Sequence, residues 1–287
     1  MNRPIYKLRN FVSDYEIKLN YINFSLNPNA IDFLIENPKY IDWSLLSQNK
    51  NPRVIEIFDK NIDKINWFYV VQNPNLYELL KYMDSSVYKY YYDLLSANFN
   101  AINLFIKNPE KINWDKLSMN ESPIAFELLR KNEYKINWKN LSLNKNSDCV
   151  KLLLETPRFI DWKNFSLNEN EIVIEFLKSN PDKIDWDNLS KNSKAISILI
   201  ENPDKINWYY ASMNTSVYEL ISKTKINLNN LEWSLLSSNP GIFELDYDKM
   251  RIINEEFYQD LIKEVMKPSR VFKEYEDGYD YLEGLFG

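Results

Sequence analysis

The sequence contains no histidine, one cysteine and four glycines among its 287 residues. Without histidine there is no imidazole base and no imidazole metal ligand, and the single Cys149 forms neither an intrachain disulfide nor a cysteine-based zinc site. All four glycines lie at or beyond Gly241, so the preceding 240 residues contain no glycine-rich phosphate loop. These absences argue against an enzyme, and we expect no cofactor and no bound metal.

Long apolar runs and an excess of positive charge are also missing. The N-terminus mixes charged and apolar residues and has no signal-peptide core, and no apolar stretch approaches the roughly 20 residues of a membrane span. The formal net charge is −6, unlike that of a dedicated nucleic-acid binder. We therefore expect an intracellular protein that does not enter a membrane.

What dominates the sequence is an internal repeat. The triplet Ile-[Asp/Asn]-Trp occurs seven times, a variant ends at Trp233, and tyrosine takes the tryptophan position twice, so that the units are spaced 22 to 25 residues apart. We call its aromatic residue the anchor, number the repeats 1 to 10, and count positions from the anchor. The anchors are Tyr21, Trp43, Trp67, Tyr92, Trp114, Trp138, Trp162, Trp186, Trp208 and Trp233. A fixed period of this length is typical of repeat proteins.

Three further columns keep the same register. Position +3 is always apolar, and position +4 is serine in every repeat except repeat 3, which has Val71. Position +6 is always asparagine: Asn27, Asn49, Asn73, Asn98, Asn120, Asn144, Asn168, Asn192, Asn214 and Asn239. Active sites are single constellations, so columns repeated in this way are interpreted as structural.

Each repeat predicts two short helices. In repeat 1, Asn27 is expected to cap a helix that begins at Pro28, and Asp42 a second one that begins at Trp43. Helices this short do not stand alone in water and must stack on their neighbours. The sequence therefore predicts an all-α protein, an α-solenoid of about ten two-helix repeats of 22–25 residues.

The alternative is a leucine-rich-repeat horseshoe, whose units also carry a fixed asparagine. Proline after the asparagine at Pro28, Pro74 and Pro240 disfavours it, because proline does not fit a strand ladder. The predicted organisation is an N-terminal cap at 1–20, the helical array at 21–239 and a C-terminal helical cap with an acidic tail at 240–287. Within that cap, helices are expected near 246–266 and 269–277.

One column is a candidate binding site. Lysine stands three residues before the anchor at Lys64, Lys89, Lys111, Lys135, Lys183 and Lys205. Stacked repeats would set these ammonium groups about 10 Å apart along one edge, where they could bind an acidic partner or a phosphate backbone. Acidic residues precede four of them, which favours a charge-balanced surface. The tryptophans are expected in the inter-repeat core, and Cys149 as a buried apolar side chain.

The consensus N-P-x-A-I-x-x-L-x-x-N-P-x-K-I-[D/N]-W-x-x-L-S-x-N resembles the repeat of a large uncharacterised protein family of giant viruses of the mimivirus kind. The segments around 241–250, 267–271 and 276–280 are similar to that family's closing segment, except that the family often has His-Pro at Lys267-Pro268. The resemblance implies a viral origin, a place in the host cytoplasm or the virion, and, by analogy, an ankyrin-like interaction role.

Three hypotheses for the function remain. The first is a non-enzymatic repeat scaffold that binds a host or viral protein through the variable surface positions between the columns. The second is a solenoid that binds nucleic acid through the lysine row. The third is a structural component of a virion or of its assembly.

Overall fold

The computed structural model describes residues 4–13, 15–84, 89–224 and 226–265. The described chain is mostly helical, which confirms the all-α class. Contacts divide the chain into two compact units, one of residues 8–243 and the other of residues 1–7 together with 244–287. All ten repeats lie in the first unit.

Every repeat contains a short helix whose first residue is the anchor, here called the anchor helix. The cap predicted at position −1 is present in repeat 2, where the Asp42 carboxylate accepts a hydrogen bond from the Leu45 backbone N–H at 2.8 Å. The anchor helices are Tyr21–Leu26 (a 3-10 helix), Trp43–Leu46, Trp67–Val70, Tyr92–Leu95, Trp114–Leu117, Trp138–Leu141, Trp162–Leu167, Trp186–Lys191, Trp208–Ala211 and Trp233–Ser237.

A second, generally longer helix follows in repeats 1, 2 and 4 to 9. It starts at Ile31 in repeat 1 and not at Pro28 as expected, because the Asn27 side chain accepts a hydrogen bond from the Asn29 N–H and closes a turn first. These helices are Ile31–Glu36, Val54–Phe58, Ile102–Lys107, Pro123–Arg130, Ser147–Glu155, Glu171–Ser179, Ile196–Glu201 and Val217–Thr224. Their places are taken by 3-10 helices at Pro74–Tyr82 in repeat 3 and Pro240–Ile242 in repeat 10, and Phe99–Ala101 precedes the helix of repeat 4.

A third helical segment, which the sequence pattern did not indicate, leads to the next anchor. It is a single 3-10 turn, and proline often opens it because its fixed φ suits a first helical position. These turns are Glu16–Lys18, Pro38–Tyr40, Ile62–Lys64, Lys89–Tyr91, Pro109–Lys111, Glu133–Lys135, Pro157–Phe159, Pro181–Lys183, Pro203–Lys205 and Leu228–Asn230.

The core column is position +3 of the anchor helix. All ten side chains there are at most 1% exposed: Phe24, Leu46, Val70, Leu95, Leu117, Leu141, Phe165, Leu189, Ala211 and Leu236. A one-turn helix can point only one face inward, and its +3 and +4 positions occupy that face. The apolar column predicted from the sequence is therefore the continuous core of the repeats.

The asparagine column joins each repeat to the one before it. In repeat 7, the Asn168 amide donates hydrogen bonds to the carbonyls of Ser142 and Asn144 at 3.1 and 2.9 Å. Its own carbonyl oxygen accepts from the Asn170 N–H at 2.9 Å. All ten asparagines of the column are buried, and each donates to the repeat before it, through one hydrogen bond for Asn73 and Asn98 and two for the others.

The serine column adds a second link between repeats. In repeat 2, the Ser47 hydroxyl donates to the Trp43 carbonyl of its own helix at 2.8 Å and accepts from the Asn66 N–H, which precedes the next anchor, at 3.1 Å. The nine serines at position +4 all accept from the following repeat in this way. Val71 has no hydroxyl, so the link is missing in repeat 3.

The asparagine and serine columns also join repeat 10 to repeat 1. The Asn27 amide of repeat 1 donates to the carbonyls of Ser237 and Asn239 of repeat 10 at 3.1 and 2.8 Å. The Ser237 hydroxyl accepts from the Asn20 N–H at 2.9 Å. Repeat 1 thus contacts repeat 10 as any repeat contacts its predecessor, and the ten repeats form a closed ring of hydrogen bonds.

Short elements flank the repeats in sequence. The helix Asn10–Ser13 precedes repeat 1, and the strands Tyr6–Leu8 and Phe243–Leu245 form a two-stranded sheet. In the smaller unit, the Asp246 N–H donates to the Ile5 carbonyl at 2.8 Å and the helix Tyr247–Val265 follows. That helix confirms the one expected near 246–266, whereas the helix expected near 269–277 and the acidic tail lie outside the described residues.

Substituting an asparagine of the column should cost far more stability than substituting an exposed one. Asn168→Ala leaves two buried carbonyls and one N–H without partners, and we expect a loss of about 3 kcal/mol in the free energy of unfolding, measured by urea titration. The control is Asn164→Ala, because the Asn164 amide donates only to the Lys139 carbonyl at an exposed site. Equal losses in the two variants would contradict the structural role of the column.

Candidate functional site

The candidate lysines lie on the 3-10 turns that precede the anchors. Five of the six side chains are exposed, and Lys135 is partly buried. Five of these lysines are the last residue of their turn, whereas Lys89 is the first residue of its turn: Lys64, Lys111, Lys135, Lys183 and Lys205 end theirs.

Several of these lysines cover the aromatic anchor of the preceding repeat. The Lys135 ammonium lies 4.3 Å from the centre of the Trp114 ring, and Lys111 lies 4.8 Å from that of Tyr92. The Lys183 ammonium is 5.8 Å from the Trp162 ring. In repeat 6, the Trp138 ring is covered instead by Phe159, stacked at 4.5 Å. In repeats 5 to 8, position −3 therefore covers the preceding anchor with a cation or an aromatic ring.

One member of the lysine column was missed by the sequence analysis. Lys18 stands three residues before Tyr21, and its ammonium lies 5.6 Å from the Trp233 ring of repeat 10. Residues 1–20 were interpreted as a cap, so this lysine was not counted. The spacing alone would have identified it, although its partner becomes apparent only from the closure of the ring.

Neighbouring carboxylates balance part of the lysine row. Lys64 pairs with Asp63, and Lys183 with Asp182, both at 3.1 Å. Exposed pairs of this kind contribute little stability, but they reduce the positive charge available to a polyanion. Together with the ring contacts, they mean that much of the column already has partners within the protein.

Most of the tryptophans are only partly buried. Only Trp233 among the eight is in the buried class, at 8% exposure, and the other seven are partly exposed. The anchor is the first residue of a one-turn helix whose +3 and +4 side chains fill the interior, so the indole lies at the edge of the core. These seven indoles therefore border the inter-repeat core in which the sequence analysis expects them.

A groove of about 490 Å³ lies between repeats 2 and 3. It is lined by Gln48, Lys50, Phe68, Tyr69, Gln72, Asn73 and Asn75. The Phe68 and Tyr69 rings contact edge to face at 5.2 Å, and the Phe68 side chain is 50% exposed. This is the repeat in which valine replaces serine at +4 and a 3-10 helix replaces the second α-helix, so the groove coincides with the most irregular part of the ring.

Charged side chains at position +7 of repeats 6 and 7 form an ion pair, Lys145 with Glu169. Burial works to raise the pKa of Glu169, but hydrogen bonds from Lys145 and Ser193 outweigh it, and the pKa lies below its usual range. Lys50 also lowers this pKa through its charge.

The polar columns are occupied by hydrogen bonds. The serine and asparagine columns are hydrogen-bonded within the fold, and the residues that the structure describes contain no cluster of cysteine and carboxylate side chains suited to a metal. No helix in the described ranges has both the length and the apolar character needed to cross a bilayer. Comparison of the chain with protein-family models, curated proteins and solved structures finds no match.

Removing a lysine that covers an anchor should weaken the fold slightly. Lys135→Ala exposes the Trp114 ring, and we expect a loss of about 0.5–1 kcal/mol in the free energy of unfolding. The exposed Lys139, at position +1 of the next repeat, is the control, and Lys139→Ala should change stability by less than about 0.5 kcal/mol. An unchanged stability in Lys135→Ala would show that the contact with Trp114 has no energetic value.

The single thiol should be inert in the folded protein. Burial, with smaller contributions from the charges of Asp148 and Glu121, raises the pKa of Cys149 to about 12, and its side chain is fully buried. Since the thiolate is the reactive form, we expect no reaction with Ellman's reagent at pH 8 until denaturant is added. A surface cysteine introduced by Ser44→Cys should react within minutes, and equally rapid reaction of Cys149 would contradict its burial.

Proposed function

We propose that the protein is a non-enzymatic scaffold, a closed α-solenoid of ten two-helix repeats that binds a protein partner through its variable surface positions. The proposal is supported first by the contacts that the consensus residues make. Their polar groups bond to one another and to the backbone, so the invariant columns maintain the ring. Binding specificity then has to reside in the positions that differ between repeats.

Position +1 is the clearest of these variable positions. It is exposed in all ten repeats. In repeats 4 to 8 it is always charged: Asp93, Asp115, Lys139, Lys163 and Asp187. In repeats 9, 10, 1, 2 and 3, which are consecutive around the closed ring, it is uncharged: Tyr209, Ser234, Ile22, Ser44 and Phe68. We call these last five residues the uncharged arc.

The uncharged arc is the observation that carries the proposal. Tyr209, Ile22 and Phe68 are each 50% exposed or slightly more. Exposed apolar residues that share one surface are typical of protein interaction sites, whereas scattered ones need no explanation. The arc joins residues from both ends of the sequence, so it exists only because the ring is closed.

Nucleic acid is the less supported partner. The lysine column is partly paired with carboxylates and partly placed over aromatic anchors, and the protein is acidic overall. If nucleic acid were the partner, affinity would fall steeply as salt rises. The resemblance to giant-virus repeat proteins supports a further proposal, that the protein partner is a host or viral component and that the site of action is the host cytoplasm or the virion.

The test compares two sets of substitutions in a binding assay. Ile22→Ser, Phe68→Ser and Tyr209→Ser together remove the apolar side chains of the arc, and Asp93→Ser with Asp187→Ser alters the charged side as a matched control. A protein captured from infected cells and then purified should bind the arc variant at least tenfold more weakly than the unmodified chain, and the control variant equally well. Equal losses in both variants, or binding to nucleic acid alone, would contradict the proposal.

A further inference from the structure

The aromatic pair of the groove between repeats 2 and 3 can be compared with the pair at the same positions of repeat 9. Repeat 9 carries Tyr209 and Tyr210 at the same positions as Phe68 and Tyr69, also edge to face, at 5.3 Å. There the Lys191 ammonium lies over the Tyr210 ring at 4.1 Å. The residue equivalent to Lys191 in the groove is Gln48, so this aromatic pair lacks the lysine that covers its counterpart.

The polar groups of the groove offer unused hydrogen-bonding capacity. The side-chain N–H groups of Gln48 and Gln72 donate to the Ser44 and Phe68 carbonyls at 3.2 and 2.7 Å. Among the described residues, nothing donates to the Oε1 atom of either glutamine. Two acceptors therefore border the aromatic pair, and backbone N–H groups of a bound segment can donate to them.

Lys50 sets the charge of the groove. Its side chain is exposed, and among the described residues it forms no ion pair, although its charge helps to lower the pKa of Glu169. Ser193, which is uncharged, occupies the equivalent position beside the aromatic pair of repeat 9. Position +7 therefore gives the groove, and not its counterpart, a preference for negative charge.

The geometry points to this groove as the place where the protein partner inserts an aromatic side chain that is adjacent to a carboxylate. The aromatic side chain packs on Phe68 and Tyr69, its peptide N–H groups donate to the Gln48 and Gln72 oxygens, and the carboxylate pairs with Lys50. The volume of about 490 Å³ suits one large side chain with its flanking backbone. The inference rests on the proposed function, because the groove contains Phe68 of the uncharged arc.

The test uses two capped tetrapeptides that differ only in charge, acetyl-Gly-Glu-Trp-Gly-amide and acetyl-Gly-Gln-Trp-Gly-amide. Binding to the full chain is followed by NMR chemical shifts of the groove amides. We expect saturable binding of both, with the glutamate peptide about threefold tighter, as expected of an exposed ion pair. Lys50→Gln should abolish the difference, and Phe68→Ala should weaken both at least fivefold. Tyr209→Ala, in the counterpart pair, should change neither.

Two results would overturn the assignment: no saturable shifts up to about 10 mM peptide, or equal affinity of the two peptides for the unmodified chain. Circular dichroism of Phe68→Ala shows whether that variant folds, and Lys50→Gln, at an exposed site, provides an independent test. If the peptides bind as expected but no partner depends on the arc, the proposed function fails and the groove stands. If a partner depends on the arc but not on Lys50, the groove assignment fails and the proposed function stands.

Discussion

The ring depends on one interaction, the hydrogen bonds that the asparagine at position +6 donates to the preceding repeat. Asparagine is suited to this role because its amide carries two donors and one acceptor on a short side chain. Aspartate has no donor, and glutamine is one methylene longer. In repeat 7 all three groups of Asn168 are satisfied in the buried interior, where an unpaired polar atom would be costly.

Because the ring is closed, these hydrogen bonds leave no repeat without a neighbour on either side. An open array has two terminal repeats whose inner faces need capping, whereas repeats 1 and 10 here satisfy each other through Asn27 and Ser237. The aromatic contacts close in the same way, since Tyr15 stacks on Trp233 at 5.0 Å and Lys18 covers the same ring. Surfaces that are distant in sequence, such as those of repeats 9 and 3, become parts of one arc.

The sequence predicts most of the local structure. The apolar column at +3, the caps at −1 and the all-α class follow from spacing, since each reflects contacts within a repeat or with its immediate neighbour. The 3-10 turns were not predicted, because a proline that ends one helix can equally open the next turn. How far each indole is exposed does not follow from the spacing, since periodicity does not tell which side of a one-turn helix fills the core.

Closure and the groove lie beyond sequence reasoning. Ten repeats close only if the average rotation is about 36° per repeat, and this angle is a sum of small packing effects that no single residue encodes. The lysine column was recognised, but its contacts with the preceding anchors depend on how the turns stack. Likewise, Lys50, Phe68 and Gln72 carry no motif, and only the fold brings them together.

The most direct test of closure is a cross-link between the first and last repeats. Ser234 is exposed and Asn23 partly exposed, and the Asn23 amide donates to the Ser234 hydroxyl at 3.0 Å. In the variant with Asn23→Cys and Ser234→Cys, a short bismaleimide should link the two cysteines within one chain, as mass spectrometry of the digested monomer would show. A control pair, Asn23→Cys with Asp115→Cys, should not be linked. Failure of the first pair to link in the folded monomer would contradict a closed ring.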